Sequence, residues 1–288
     1  MKFKGPALAG FGAFCFALVV SHPAAASSIV YSNLGVIGTM AAASRPEPVS
    51  GGLEIEAADD FILSGLTRIT SASFIGLVPA GFSVNDLNVE IYRVFPFDST
   101  NPPDGKVPTR VNSPSDVAFA ERDLSAGIAS FTTSIISNSF TAGNSVLNGI
   151  NPSPFQTTGG EGPVTGQEVL FNVVFSSPLI LPADHYFFVP QVGLTAGNFF
   201  WLSAQRPIPA TSPNTPISPD LQAWIRNGAL DPDWLRIGTD IVGGATPPTF
   251  NMAFELQGDV VPEPATLLLL GTGLVGLATR VRRSTRPR

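Results

Sequence analysis

Alternating hydrophobic and polar positions dominate the middle of the chain, and helical periodicity is nearly absent. Leu87, Val89 and Ile91 fall on one face of a strand with a two-residue period. Glu90 and Tyr92 fall on the opposite face. This pattern is typical of a β-strand that is buried on one side.

Similar hydrophobic runs recur along the chain, and clusters of Gly, Pro, Asn and Asp separate them. The predicted strands are Ile29–Leu34, Leu53–Leu63, Leu66–Val78, Leu87–Phe95, Ile128–Phe140, Glu168–Phe175, Tyr186–Leu194, Phe199–Ser203 and Phe250–Gln257. Strands of this number and spacing predict an all-β fold, a single β-sandwich of jelly-roll or Greek-key type. The segment Leu221–Leu230 fits either a short helix or a strand that ends at Asn227.

The N-terminus has the three parts of a secretory signal peptide. Lys2 and Lys4 form a basic start, and an apolar run follows from Ala7 to Val20. Ala24 and Ala26 provide the small residues of a cleavage site. We therefore expect residues 1–26 to be a signal peptide, removed during export by the Sec machinery.

A second apolar segment lies near the C-terminus. It runs from Ala265 to Thr279 without a charge and reaches Val281 if Arg280 is included. As a helix, residues 265–281 would span roughly 25 Å, slightly less than the ~30 Å hydrocarbon core of a bilayer. This predicts a transmembrane helix over 265–281. Five arginines lie at its end: Arg280, Arg282, Arg283, Arg286 and Arg288. By the positive-inside rule they hold the C-terminus in the cytoplasm, so the precursor is anchored in the inner membrane with its body outside.

Pro262, Glu263 and Pro264 precede this helix. The two prolines lack amide donors and favour an extended, accessible backbone. The Pro-Glu-Pro motif, the short Leu- and Gly-rich segment and the terminal arginines together resemble the PEP-CTERM sorting tail of Gram-negative bacteria. The resemblance implies processing by an exosortase-like enzyme and delivery to the cell surface or the extracellular space. The alternatives are a single-pass anchor that is never processed and a buried hydrophobic helix.

These signals divide the chain into a signal peptide at 1–26, an extracytoplasmic β-sandwich at 27–259 and a sorting tail at 260–288. The segment Ala58–Phe61 and the strand before the tail also resemble the β-rich passenger domains of PEP-CTERM proteins. That resemblance assigns no role to individual residues.

Charge and cysteine content exclude several functions. Between the two terminal signals lie nine basic and 21 acidic residues, a net charge of −12. Such a body repels nucleic acid, so we expect no nucleic-acid partner. Cys15, the one cysteine, lies in the signal peptide. The mature chain therefore lacks disulfides, thiolate nucleophiles and cysteine-based metal sites.

The candidates for catalysis are few, and we predict no catalytic residue. His185 is the one histidine left after signal cleavage, which removes paired-histidine metal sites. Asp59 and Asp60 are adjacent and would point to opposite faces of a strand. Asp231 and Asp233 flank a proline, which favours a turn over a catalytic pair.

No cofactor is predicted, and structural calcium is the one metal considered. The loop from Asp98 to Gly105 offers oxygen ligands, but Pro102 occupies a position where an EF-hand loop needs a ligand. We therefore favour an ordinary turn there. Trp224 and Trp234 lie near loops, and we predict that both are partly exposed and form a candidate ligand surface, whereas Trp201 belongs to the core.

Two functions fit these observations. The first is a non-enzymatic surface or matrix protein, processed by an exosortase-like enzyme and associated with exopolysaccharide or biofilm. The second is a carbohydrate-binding module or glycan-active enzyme delivered by the same tail. The lack of a nucleophile motif, a second histidine in the mature chain or a phosphate-binding loop favours the first.

Overall fold

The structure is a computed structural model that describes residues 28–47, 52–97, 105–150, 156–209, 217–261 and 272–273. The described part is built almost entirely of β-strands. In chain order the strands are β1 Ser28–Ser32, β2 Val36–Ala43, β3 Ile55–Leu63, β4 Thr67–Val78, β5 Val84–Arg93, β6 Ala120–Asp123, β7 Ala129–Ala142, β8 Ser145–Val146, β9 Val164–Leu181, β10 Asp184–Leu194, β11 Phe200–Ala204, β12 Trp224–Asn227, β13 Leu235–Arg236, β14 Asn251–Met252 and β15 Phe254–Val260. One π-helical turn, Ile237–Val242, follows β13.

The strands form two sheets. A nine-stranded sheet has the order β1-β15-β4-β11-β2-β8, with β14 paired to β11, β9 paired to β4 and β7 paired to β9. A six-stranded sheet has the order β13-β12-β3-β10-β5-β6. The long β4 is the centre of the larger sheet, because β9 pairs along one side of it and β15 and β11 share the other.

Aromatic side chains from both sheets meet in one core. Phe254 of the nine-stranded sheet stacks on Phe188 of the six-stranded sheet, with ring centroids 4.9 Å apart and planes at 7°. Tyr31 and Trp201 also contact Phe254, at 4.6 and 5.8 Å between centroids. Aromatic pairs of this kind add about 0.5–1.5 kcal/mol each beyond simple burial. The inner faces of the two sheets therefore pack against each other through these rings.

Gly76 allows β4 and β11 to approach closely at the centre of the nine-stranded sheet. A Cβ atom at this position would lie 2.6 Å from the carbonyl oxygen of Phe200 and against the ring of Phe199. Backbone cannot move aside as a flexible side chain can, so any larger residue would force the strands apart. The glycine is thus required by the close packing of β4 against β11.

The predicted strands agree with the observed ones. Eight of the nine predicted segments lie largely within one observed strand, whereas Phe250–Gln257 is divided between β14 and β15. The two faces of β5 are as expected, because Leu87 and Val89 are fully buried in the core. The ambiguous segment at 221–230 contains β12, which ends at Asn227. The sequence pattern missed β2, β6, β8 and β13.

The predictions for the two chain ends fall outside the described residues. These are the signal peptide at 1–26, the Pro-Glu-Pro motif at 262–264 and the arginines from Arg280 to Arg288. Of the predicted transmembrane helix at 265–281, Thr272 and Gly273 are described, and both are helical. Within the described ranges, no helix has the length and apolar character needed to cross a bilayer.

Candidate functional site: a carboxyl network on the six-stranded sheet

The outer face of the six-stranded sheet carries a group of polar side chains that we call the Tyr92 network: Glu56, Glu90, Tyr92 and Arg226. Glu56 is on β3, and Arg226 lies opposite it in the register of the neighbouring β12. Glu90 and Tyr92 alternate with core-facing residues on β5, so both project outward. β10 lies between β3 and β5, and the Tyr92 side chain bridges this strand to reach Glu56.

Tyr92 is the centre of the network. Its Oη atom lies 2.7 Å from Glu56 Oε1 and 2.7 Å from Glu90 Oε2. Arg226 donates from Nη2 to Tyr92 Oη over 3.0 Å and from Nε to Glu56 Oε2. A phenol has one proton and can donate it to one carboxyl group, so the other carboxyl must supply a proton of its own. Since Arg226 neutralises Glu56, the geometry assigns that extra proton to Glu90.

Electrostatics agree with this count of protons. Burial, followed by the charge of Glu56, raises the pKa of Glu90 to about 8. Burial and the same charge also raise the pKa of Tyr92 well above its ordinary value, which keeps the phenol neutral. The network therefore holds a protonated carboxyl group at neutral pH on the outer face of the sheet.

Aromatic rings surround the guanidinium group of Arg226. Its central carbon lies 4.4 Å from the ring centroid of Trp234 and 5.3 Å from that of Tyr92. Asp231 adds an ion pair at 2.7 Å from Nη1. A cation over an aromatic face is attracted by the ring quadrupole, most strongly when it is shielded from water. The aromatic site around Trp234 is therefore occupied by an arginine of the same chain.

The expectation that Trp224 and Trp234 are partly exposed is wrong. Trp224 is 2% exposed and Trp234 is 1% exposed, and Trp201 is fully buried as predicted. Trp224 and Trp234 lie in a second apolar cluster on the outer face of the six-stranded sheet, together with Phe187 and Leu221. The prediction of exposure was based on the position of the two tryptophans near loops. That position does not show that other segments of the chain cover this face. The candidate ligand surface at these two residues thus has no exposed aromatic face.

A second group of buried carboxyl groups lies on β3. Asp59 and Asp60 point to opposite faces, as predicted, and both are almost fully buried. Asp59 Oδ2 accepts from the Met252 amide at 2.8 Å. Asp60 Oδ2 accepts from the Leu221 amide at 3.1 Å and lies 2.7 Å from His185 Nε2. These bonds tie β3 to the segments around residues 221 and 252.

The pKa values of both carboxyl groups are raised. Burial is the main cause in each case, and the charge of Asp60 adds to it for Asp59. Among the described residues, Asp59 Oδ1 and Asp60 Oδ1 have no hydrogen-bond partner. Incomplete pairing in a dry environment disfavours the charged form. His185 is partly buried and is bound to Asp60 rather than available as a ligand.

A shallow cavity of about 200 Å³ lies beside this group, and Arg206, Asp220 and Arg236 are among the residues that line it. Each arginine is already neutralised. Arg206 Nη1 lies 3.2 Å from Asp220 Oδ1, and Arg236 Nη2 lies 2.7 Å from Asp240 Oδ1. The cavity therefore offers a ligand polar walls without an excess of positive charge.

The remaining candidates do not form a site. Asp231 pairs with Arg226, whereas Asp233 is buried and pairs with Arg110, so the two aspartates have separate partners. No group of three His, Cys, Asp or Glu side chains able to hold a metal occurs within the described ranges. The loop considered for calcium, Asp98–Gly105, lies outside them apart from Gly105.

The sequence did not single out the Tyr92 network. Glu90 and Tyr92 were placed on the same outer face, which is correct, but Glu56 and Arg226 are separated by 170 positions. The one local signal is a glutamate in a run of core residues, Glu56 between Ile55 and Ala57. Such a glutamate on a covered strand needs a cation nearby, although the pattern cannot say which one.

Comparison with known proteins identifies one segment of the chain. Residues 260–283 match the family model of the PEP-CTERM protein-sorting motif. No curated protein and no solved structure matches the chain. The matched segment begins at Val260, the last residue of β15.

The resemblance seen at the C-terminus is therefore confirmed: the chain carries a PEP-CTERM sorting motif. The motif marks an exported protein that is a target of an exosortase-type enzyme, and it points to a membrane-associated precursor that is sorted to the cell surface. The β-rich part of the chain has no match to a family.

Proposed function

We propose that this chain is a non-enzymatic cell-surface or matrix protein whose body, residues 27–259, is one β-sandwich associated with exopolysaccharide. The sorting motif at residues 260–283 carries the proposal, because it implies an exported protein that an exosortase-type enzyme targets. The signal peptide at 1–26, export by Sec and the inner-membrane helix at 265–281 belong to the same proposal. An exosortase-type enzyme then releases or transfers the body.

The position of the motif supports processing without loss of the fold. Val260 pairs with Thr67 at the end of β15, and the amide of Val261 donates to the Leu66 carbonyl at 2.7 Å. Pro262 follows and has no amide hydrogen with which to continue the ladder. Cleavage at any bond after Val261 would therefore remove no described hydrogen bond of the sheet.

The charged residues of the body support a non-enzymatic role. In the Tyr92 network, Glu56 is bound by Tyr92 and Arg226. All three indoles are buried, so the proposed association with exopolysaccharide does not use stacking of a tryptophan on a sugar ring. No observation favours a dedicated carbohydrate-binding module or a glycan-active enzyme, so we do not propose that alternative.

The test is the intact mass of the protein recovered from the surface and medium of its host, compared with a strain that lacks the exosortase. We expect the native strain to yield a chain without residues 1–26 and without the arginine-rich end. The deletion strain should retain that end. Replacement of Pro262, Glu263 and Pro264 by alanine should have the same effect as the deletion, whereas Ser284→Ala, just beyond the matched residues, should be processed normally. An intact C-terminus in the native strain would overturn the proposal.

Association with exopolysaccharide needs a separate measurement. The processed protein should co-sediment with exopolysaccharide purified from the host, and it should not hydrolyse it. Release of reducing sugar ends would contradict the non-enzymatic role. Failure to co-sediment would contradict the matrix association while leaving the sorting result unaffected.

A further inference from the structure

β7 lies at an edge of the nine-stranded sheet and pairs with β9 along one side. In the part of the chain that the structure describes, no strand pairs with its other side. The register with β9 is regular from Ala129 to Ile135, and bulges interrupt it beyond Ile135. Ala129–Ile135 is therefore a regular strand with free amide and carbonyl groups along one side.

This edge differs from the other described edges. The end strands β1, β6, β8 and β13 contain five, four, two and two residues, whereas β7 contains 14. Natural sheets commonly limit pairing with other chains by keeping edge strands short or by placing charges on them. β7 has neither protection, because it is long and has no charged residue.

The side chains of β7 are also uncovered. Thr133 and Ile135 are exposed, although their cross-strand neighbours Phe171 and Val169 are fully buried. The cover provided by the six-stranded sheet thus ends at β9. Ile135 is 54% exposed and Ile136 is 51% exposed. A strand added to this edge would gain backbone hydrogen bonds and would also shield apolar surface.

The charge distribution indicates which partner can approach. No charged residue occurs from Leu124 to Gly160, whereas the body as a whole carries a net charge of −12. Two copies of such a body repel each other over distances of about 8 Å at physiological ionic strength. The repulsion is smallest where neither surface is charged. A charged partner, in contrast, would find no complementary group on β7.

We propose that β7 binds β7 of a second copy of this chain in antiparallel orientation, so that two nine-stranded sheets become one continuous sheet. The contact is isologous, with the same strand contributed by both copies about a two-fold axis. The pairing uses the free β7 edge of each copy, so no β7 edge remains for a third copy and the assembly is a dimer. The proposal does not rest on sorting or on exopolysaccharide binding.

Disulfide trapping tests the pairing in the full-length protein, because the mature chain has no cysteine. A two-fold axis normal to the sheet places one residue of β7 opposite itself, and opposed Cα atoms in an antiparallel pair are about 4.5–5.5 Å apart, within disulfide range. In a Cys15→Ala background, each residue from Ser130 to Ile135 is replaced in turn by cysteine. Val174→Cys is the matched control, since Val174 is 54% exposed on β9 and that strand is paired there on both sides, with Ser71 of β4 and Ser130 of β7.

We expect one or two of these positions to give a band of twice the monomer mass on a non-reducing gel, and Val174→Cys to give none. Lysines placed two residues before and two residues after the trapped cysteine face each other across the pair, so this double replacement should abolish the band. Mixing these copies with copies that carry glutamates at the same two positions should restore it, which excludes misfolding as the cause of the loss. Absence of the band at every β7 position would overturn the proposal, and so would a crosslinked product of another mass.

Discussion

The Oη atom of Tyr92 and the Oε2 atom of Glu90 lie 2.7 Å apart, two positions along the same strand, and the same phenol oxygen contacts Glu56 at an equal distance. One phenol proton cannot serve both carboxyl groups. The second proton resides on Glu90, and burial, together with the charge of Glu56, raises its pKa to about 8. The fold therefore binds a proton that the unfolded chain releases at a lower pH.

This difference predicts how stability varies with pH. The pKa of Glu90 is higher in the folded state than its ordinary value of 4.5, so its contribution is fully present below about pH 4.5 and is lost as the pH rises through about 8. Glu90→Gln keeps a donor to Tyr92 and removes the titration. The variant should gain stability relative to the native chain between pH 5 and 8, by up to about 1.4 kcal/mol per pH unit.

Urea unfolding at several pH values measures this effect. Glu121→Gln is the control, because Glu121 is an exposed glutamate that faces Glu90 across the β5–β6 pair. It should leave the pH dependence unchanged. Parallel stability curves for the native chain and Glu90→Gln would refute the assignment of the proton to Glu90.

Arg226→Ala should be strongly destabilising. The substitution leaves Glu56 buried without its cation and removes the guanidinium group that lies 4.4 Å from the Trp234 ring centroid. Breaking a buried ion pair from one side typically costs about 3–5 kcal/mol. Arg68→Ala removes a solvent-exposed pair with Asp259 at 2.8 Å and should cost at most about 1 kcal/mol. Equal changes in the free energy of unfolding would mean that the Tyr92 network contributes no more than a surface ion pair.

The sequence predicted those features that depend on local alternation. The core-facing residues of β5 were correct because the outward positions of that strand include the polar Asn88 and Glu90, so the alternation is visible in the sequence. β2 was missed because Met40 and Ala41 are both buried, one in the main core and the other in an apolar cluster on the opposite face of the nine-stranded sheet. A strand covered on both sides shows no polar alternation.

The candidate site was less predictable, since it depends on contacts between distant segments. Arg226 meets Glu56 across 170 positions, and Trp234 donates from Nε1 to the Ser115 carbonyl at 3.4 Å. Nothing near Trp224 or Trp234 in the sequence indicates this cover. The sorting motif is the opposite case, because its three parts are contiguous and could be identified without a fold.

The burial of the three indoles predicts a fluorescence result. Trp201, Trp224 and Trp234 should be poorly quenched by acrylamide and by iodide in the folded protein. Unfolding in urea should make all three accessible and provides the reference within the same sample. Strong quenching by iodide before unfolding would place at least one indole at the surface and would reopen the question of an aromatic ligand site.

The end of β15 predicts where the chain can be shortened. A chain from Ser27 to Val261 keeps the hydrogen bond from the Val261 amide to the Leu66 carbonyl and every described strand, so it should fold with the cooperativity of the longer protein. A chain that stops at Ala253 loses β15, which is the partner of β1, and removes Phe254 from its contact with Phe188. Loss of a core phenylalanine alone costs about 3–5 kcal/mol, so the shorter chain should not fold.

Circular dichroism and urea unfolding of the two purified chains make the comparison. A cooperative transition in the shorter chain would contradict this prediction, because it would show that the protein folds without β15.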